Sequence, residues 1–244
     1  MRSPLFRITK ISFFIIVIAL VSFATILRNP VWESRLSLWK NVVKRSPVKV
    51  RGHYNLGNAF AVLNMQDDAI REYLDALKIE SSFFHGNVHS ALGIAYVRKG
   101  LLDEAFNEFQ TALTLAPSSA KPHYGLGIIY ENRGNLDGAI KEYKTAIELE
   151  PSYEEPYAAL GVAYGKKDML IEARDALKTA VNLKSEIAYP HYNLARTLDR
   201  LGDYKNAVIH YREFLNLVPR GDESFAVQIS KRRILELEGY RQNF

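Results

Sequence analysis

The sequence has no cysteine. That removes disulfides, thiol catalysis, zinc–thiolate sites and cysteine acylation together, while leaving the compartment open. Charge of one dominant sign is missing too. There are 32 Lys and Arg against 27 Asp and Glu, a net charge of +5 over 244 residues, too dispersed for the basic stripe that nucleic-acid binding needs. No stretch alternates apolar and polar residues long enough to form a strand. A phosphate-cradling loop is lacking as well: Gly52-His-Tyr-Asn-Leu-Gly57 has the glycine spacing, but Asn58 and Ala59 stand where lysine and a hydroxyl residue are required. Glu148, Glu150, Glu154 and Glu155 crowd one short stretch with no base–nucleophile partner beside them, which reads as solvated surface. No enzyme activity and no cofactor are expected.

What the chain does have is a beat. Leu56-Gly57, Leu92-Gly93, Leu126-Gly127, Leu160-Gly161 and Leu194-Ala195 recur at steps of 36, 34, 34 and 34 residues. Twelve residues after each pair comes an alanine: Ala69, Ala105, Ala139, Ala173 and Ala207. A fixed period of this length marks a solenoid in which each repeat is one supersecondary unit stacked on the next. Within a repeat the apolar residues keep helical spacing, as in Ala105, Phe109, Ala112 and Leu113. Polar turns such as Arg98-Lys99-Gly100 and Asn132-Arg133-Gly134-Asn135 separate two helices, their glycine suited to the positive φ of a C-cap. Pro117, Pro151 and Pro219 follow the second helix, where proline costs no internal hydrogen bond. Glycine and alanine at matched places let the two helices approach, and aromatics fill the space between hairpins.

This pattern resembles the tetratricopeptide repeat, with a bulky residue, Leu, Gly and an aromatic on helix A, then Ala, an aromatic, Ala and Pro on helix B. The second unit supplies His89, Leu92, Gly93, Tyr96, Ala105, Phe109, Ala112 and Pro117. The third supplies His123, Leu126, Gly127, Tyr130, Ala139, Tyr143, Ala146 and Pro151. The first unit departs at Ser81, the fourth at Leu177 and Ser185, and the fifth at Ala195, Leu198 and Phe214. The resemblance implies an all-α solenoid of five repeats: 50–85, 86–119, 120–153, 154–187 and 188–221. Residues 31–47 are expected to cap the front as a half-repeat helix with Trp32, Leu36, Trp39 and Val43 in one stripe. Residues 222–244 are expected to cap the rear, starting at Asp222 or Ser224. There Phe225, Ile229, Ile234 and Leu237 would face inward, with Lys231, Arg232 and Arg233 on a solvated face. Two extra residues between Ser82 and His85 break the beat once.

Residues 11–27 carry no charge, and Ile8-Thr9 extend the run towards the ~20 residues a bilayer crossing needs. A transmembrane anchor is therefore expected at 8–28, after a basic segment at 1–10. A cleaved signal peptide, cut near Ser22-Phe23-Ala24, is the competing reading; continuation of the run to Leu27 favours the anchor. Basic residues flank both sides, so the positive-inside count does not set orientation. The short basic N-terminus favours repeats outside the cytoplasm, which is the periplasm if the source is bacterial. Arg28-Asn29-Pro30-Val31-Trp32, Leu38-Trp39 and Ser46-Pro47 are similar to the junction in TMTC-like membrane proteins, where a polytopic glycosyltransferase-like domain leads into extracytoplasmic repeats. That likeness implies an alternative function, an accessory or detached module of a membrane glycosyltransferase system.

The repeat resemblance implies a concave groove lined by helix A positions two, five, six, nine, twelve and thirteen. Mapped onto this sequence, Arg51, Tyr54, Asn55 and Asn58 lie at the front. Asn87, Ser90, Ile94, Lys121, Tyr124, Ile128, Glu131 and Val162 follow in the middle, and Tyr189, Tyr192, Asn193, Arg196 and Arg200 at the far end. Asn can pair with a peptide backbone, Tyr offers flat area at low entropy cost, and Arg grips carboxylates. A two-carboxylate clamp is matched only at Asn58 and Lys121, with Ala91 and Gly125 where other clamp side chains would stand. His53, His89, His123 and His191 share the fourth place of their repeats. Packed helices sit ~8–10 Å apart whereas metal bonds are ~2 Å long, so these are read as packing residues and no metal is expected. The expected function is a membrane-anchored scaffold that binds a protein or peptide partner for complex assembly. A nucleic-acid partner is not expected, and nothing in the sequence sets an oligomeric state.

Overall fold

The computed structural model describes residues 34–79 and 82–241, and among these it shows twelve α-helices and no strand. The anchor expected at 8–28, and Arg28–Trp32 of the junction, lie outside the described residues. No described helix is long and apolar enough to cross a membrane. The chain divides into two compact units between Lys99 and Gly100.

The first unit opens with α1 (Arg35–Arg45). Ser34 caps it: its hydroxyl accepts from the Ser37 N–H at 3.0 Å, and the Ser37 hydroxyl accepts from the Ser34 N–H at 3.3 Å. The helix thus starts later than the expected residue 31, because the serine pair satisfies the first free backbone donors there. Leu36, Trp39 and Val43 pack onto the core as expected. Then come the hairpin of α2 (Val50–Val62) and α3 (Gln66–Leu77), and the long helix α4 (Ser82–Lys99). The two extra residues of the beat are absorbed by α4, which has 18 residues where the other helices A have 13. Phe84, in the added turn, packs against Tyr54 with centroids 5.0 Å apart.

The second unit holds α5 (Leu102–Leu115), then three hairpins, α6 (Ala120–Asn132) with α7 (Leu136–Leu149), α8 (Glu154–Lys166) with α9 (Leu170–Leu183), and α10 (Ala188–Arg200) with α11 (Tyr204–Leu217). Helix α12 (Phe225–Arg241) closes the unit. The five alanines of the beat are fully buried. Opposite the glycines lie buried side chains: Tyr73 against Gly57, Tyr143 against Gly127, Leu177 against Gly161. Burying each such side chain contributes about 1.5–3 kcal/mol, and glycine is what permits the approach. Every turn between helices A and B contains one residue at positive φ: Asn64, Gly100, Gly134, Asp168 and Gly202.

The rear cap differs from expectation. Its buried stripe is Val227, Ser230, Ile234 and Leu237, whereas Phe225 is 75% exposed. At ~100° per residue, Phe225 points ~200° away from Val227, off the packed face. Arg233 is not solvated surface either: its guanidinium donates twice to Asp199, at 2.7 and 2.9 Å. Ser224 precedes the helix, and the Asp222 carboxylate accepts its N–H at 2.7 Å.

Candidate functional site

In the first unit, most of the expected groove residues are already engaged by neighbours. Arg51 stacks over Phe84 at 5.5 Å, Tyr54 packs on Tyr73 and Phe84, and Asn58 accepts the Tyr73 hydroxyl at 2.7 Å. Asn87 is exposed, and Asn55 and Ile94 are half-buried. Ser90 is a correction: it is 3% exposed and bonds back to the Gly86 carbonyl at 2.8 Å, so it does not line a surface.

The second unit gathers its expected residues into two adjoining cavities. The first, of about 360 Å³, is walled by Tyr124 and Ile128 from α6, Ala158, Ala159 and Val162 from α8, and Tyr189, Pro190 and Asn193 around the start of α10. Its rim carries Glu131, Glu154 and Glu155. The second cavity, of about 320 Å³, is lined by Val162, Gly165, Lys166, Asn193, Arg196, Thr197 and Arg200. Val162 and Asn193 belong to both, so the two are neighbours. Lys121 is exposed and lines neither. Tyr192 is corrected from groove to core: it is 8% exposed, its ring 5.1 Å from Phe214 and 6.3 Å from Tyr211. The bulky Phe214, standing where other repeats have alanine, draws it inward.

The charges around the cavities fall into two groups. Glu131 accepts both the Tyr143 hydroxyl and Lys166 at 2.7 Å. Burial and this carboxylate push the Tyr143 phenol far up. Arg200 donates to the Gly165 carbonyl at 3.1 Å and pairs with Asp168, closing the end of α8. Glu154 pairs with Lys184 at 2.7 Å. Burial works against the Glu154 charge, but the bonds from Lys184 and the backbone outweigh it and hold this carboxyl below the ordinary range. Glu155 is held above that range, first by desolvation and then by the Glu154 charge beside it. Arg196 lies over the Tyr192 ring at 5.6 Å and joins no ion pair among the described residues.

The aligned histidines do more than pack. His53 Nδ1 lies 2.8 Å from Glu72, and its Nε2–H donates to the Pro47 carbonyl at 2.9 Å. His123 meets Glu142 at 2.7 Å, and His191 meets His210 at 3.0 Å while bonding the Ser185 carbonyl. In each case the partner stands 19 residues on, a spacing present in the sequence that could have revealed the tie. Asp75 brings a third donor group near His53 and Glu72, all within 4.8 Å, but both His53 nitrogens are already hydrogen-bonded.

Comparison with known proteins agrees with this architecture. A family model described as TPR repeat matches residues 93–134 and 132–168, and another described as tetratricopeptide repeat matches 188–219. No curated protein matches the sequence. Among solved structures, the APC/C hetero-tetramer Cut9–Hcn1 is 23% identical with a TM-score of 0.71, over 84% of this chain and 40% of that one. Yeast Tom70 is 18% identical with a TM-score of 0.67, over 83% of this chain and 43% of its own. YrrB, a TPR protein with an unusual peptide-binding site, is 20% identical with a TM-score of 0.51, over 79% of this chain and 97% of its own. The chain thus spans less than half the length of the first two, and the likeness is one of fold. With its repeats in phase and these models matching within them, the chain carries tetratricopeptide repeats over residues 93–168 and 188–219.

Proposed function

We propose that the chain is a binding scaffold whose second unit holds a protein partner by an extended peptide segment. The observation that carries this reading is the paired cavity between α6, α8 and α10, apolar on one side and polar on the other, with the Asn193 side chain on their shared wall. Its size, at the low end of the ~300–1,000 Å³ of ligand sites, suits one or two side chains of a peptide. YrrB, with the same fold, is itself described as peptide-binding. The anchor at 8–28 places the scaffold on a membrane with its repeats outside the cytoplasm; the support for this is the uncharged run at 11–27 and the basic residues before it.

A photo-crosslinking amino acid at Ala158, in the cavity, should capture one partner in intact membranes. The same group at Lys178, on the exposed face of α9, should not. Equal capture from both sites, or none from Ala158, would overturn the reading. Placement is checked separately: protease added outside spheroplasts should remove the repeats, and protection until the membrane is ruptured would reverse the orientation.

A further inference from the structure

The groove of the second unit has unlike ends. Glu155, the second residue of α8, lines the apolar cavity, and its carboxyl faces Glu154 rather than a cation of its own. Arg196, the ninth residue of α10, lines the neighbouring cavity and has no ion-pair partner among the described residues. The other charges here are consumed: Lys166 by Glu131, Arg200 by Asp168 and a carbonyl, Glu154 by Lys184. Arg196 is therefore left without a carboxylate, and the hydrogen-bonded pair of Glu154 and Glu155, served by Lys184 alone, is short of one cation. Both face the groove, with an apolar cavity between them.

Their separation follows from the repeat. Arg196 occupies in α10 the place that Val162 occupies in α8, seven residues beyond Glu155. At ~1.5 Å per residue that is about 10 Å along the helix direction, and the step from α8 to its packed neighbour α10 adds ~8–10 Å across it. The two positions therefore stand about 14 Å apart, the span of about four residues of extended chain at ~3.3 Å each.

Building on the peptide-groove reading, we propose that this unit selects an extended peptide carrying a basic and an acidic residue four positions apart, with an apolar side chain between them. The basic group sits at Glu155, the apolar side chain fills the larger cavity, and the carboxylate meets Arg196. Asn193, on the wall between the cavities, is placed to pair with the peptide backbone at the crossing point.

The test uses the full-length chain in detergent and fluorescein-labelled twelve-residue peptides with Gly-Ser flanks, read by fluorescence anisotropy. The cores are Lys-Ser-Leu-Ser-Glu, its reverse Glu-Ser-Leu-Ser-Lys, and the same-charge controls Lys-Ser-Leu-Ser-Lys and Glu-Ser-Leu-Ser-Glu. One of the two mixed-charge peptides is expected to bind about tenfold more tightly than either control, as two partly exposed ion pairs allow. The preference should fade in molar salt. In the doubly swapped protein, Glu155→Lys with Arg196→Glu, the preferred peptide should become the reverse one, a change of choice that lost folding cannot imitate. If the peptides bind equally well, the charge rule falls while the groove reading stands. If none binds to the wild-type chain, both fall. Should the swapped protein not fold, the wild-type ladder of four peptides decides alone.

Discussion

Replacing Gly127 by alanine tests the close approach on which each hairpin depends. In an open helix interior the change would stabilise by up to ~1 kcal/mol, because alanine loses less backbone entropy. Here the new methyl would lie 2.4 and 2.5 Å from Tyr143 Cε1 and Cδ1, and 3.1 Å from Cζ. The ring has nowhere to go: it is fully buried, and its hydroxyl is held by Glu131 at 2.7 Å. Overpacking of this kind costs about 1–3 kcal/mol. With the ring pinned at both ends we take the upper figure, and about 2 kcal/mol of destabilisation remains after the alanine gain. The fifth repeat shows how the strain is relieved. Ala195 stands there in place of glycine, and the facing Tyr211 hydroxyl lies 3.4 Å from Asp199, much longer than the 2.7 Å bonds of Tyr73 and Tyr143. Urea unfolding followed by circular dichroism should show the midpoint of Gly127→Ala lowered by about 1 M, taking a slope of roughly 2 kcal/mol per molar. Gly165→Ala is the control, since nothing lies within 4 Å of a methyl there, and its midpoint should hold or rise. If both variants moved up together, steric contact would not be why the beat requires glycine.

Three further outcomes are expected. His210 is held below its ordinary value by burial and by His191, with Glu213 opposing. The unfolded chain then takes up a proton below pH ~6.5 that the folded protein resists, so stability should fall as pH drops from about 6.5 towards the lowered value. His210→Glu supplies the carboxylate found at Glu72 and Glu142 and should reverse that slope in thermal melts between pH 7.5 and 5.5; parallel curves would refute the pairing. Arg233→Ala leaves Asp199 partly buried without its bidentate partner and should cost about 1.5–3 kcal/mol, read as faster amide exchange confined to α12 and the end of α10. Asn64→Gly, at φ 59° in the turn before α3, should be neutral or stabilising by a few tenths of a kcal/mol, whereas Asn64→Val should lower the melting temperature.

Much of the fold was legible because single residues record it. A buried side chain pressed against the facing helix leaves little room there, so the hairpin contact is written as Gly57 opposite Tyr73, Gly127 opposite Tyr143 and Gly161 opposite Leu177. Three of the five turns likewise show their backbone conformation through Gly100, Gly134 and Gly202, while Asn64 and Asp168 reach the same region less visibly. The histidine ties were harder to read. Their partners are glutamate twice and histidine once, so residue type gives no repeat, and only the spacing of 19 is shared. Hydrophobicity alone puts Phe225 in the core, whereas rotation about the helix axis carries it to the far side from Val227. Tyr192 shows the opposite failure. Its position matches Tyr124, which does line a cavity, but a substitution 22 residues later, Phe214, pulls it into the core.

The candidate site itself depends on which charges are already spent, and that is not written in one dimension. Arg196 and Arg200 are four residues apart on one helix, identical in type and both exposed, and the sequence treats them alike. In the folded unit Arg200 closes α8 through the Gly165 carbonyl and Asp168, as Arg98 does for α2 through the Ala61 carbonyl in the first unit. Lys99, Arg133 and Lys167 likewise tie each turn to the preceding repeat through Asp67, Asp103 and Asp137. Such exposed pairs contribute ~0–1 kcal/mol each, so their weight lies less in stability than in bookkeeping. Once they are set aside, the groove groups that lack a partner of opposite charge of their own are Arg196 and Glu155. A structural role predicts that Arg196→Ala changes stability and leaves binding alone; the groove reading predicts the reverse, an unchanged melting temperature with weakened peptide affinity.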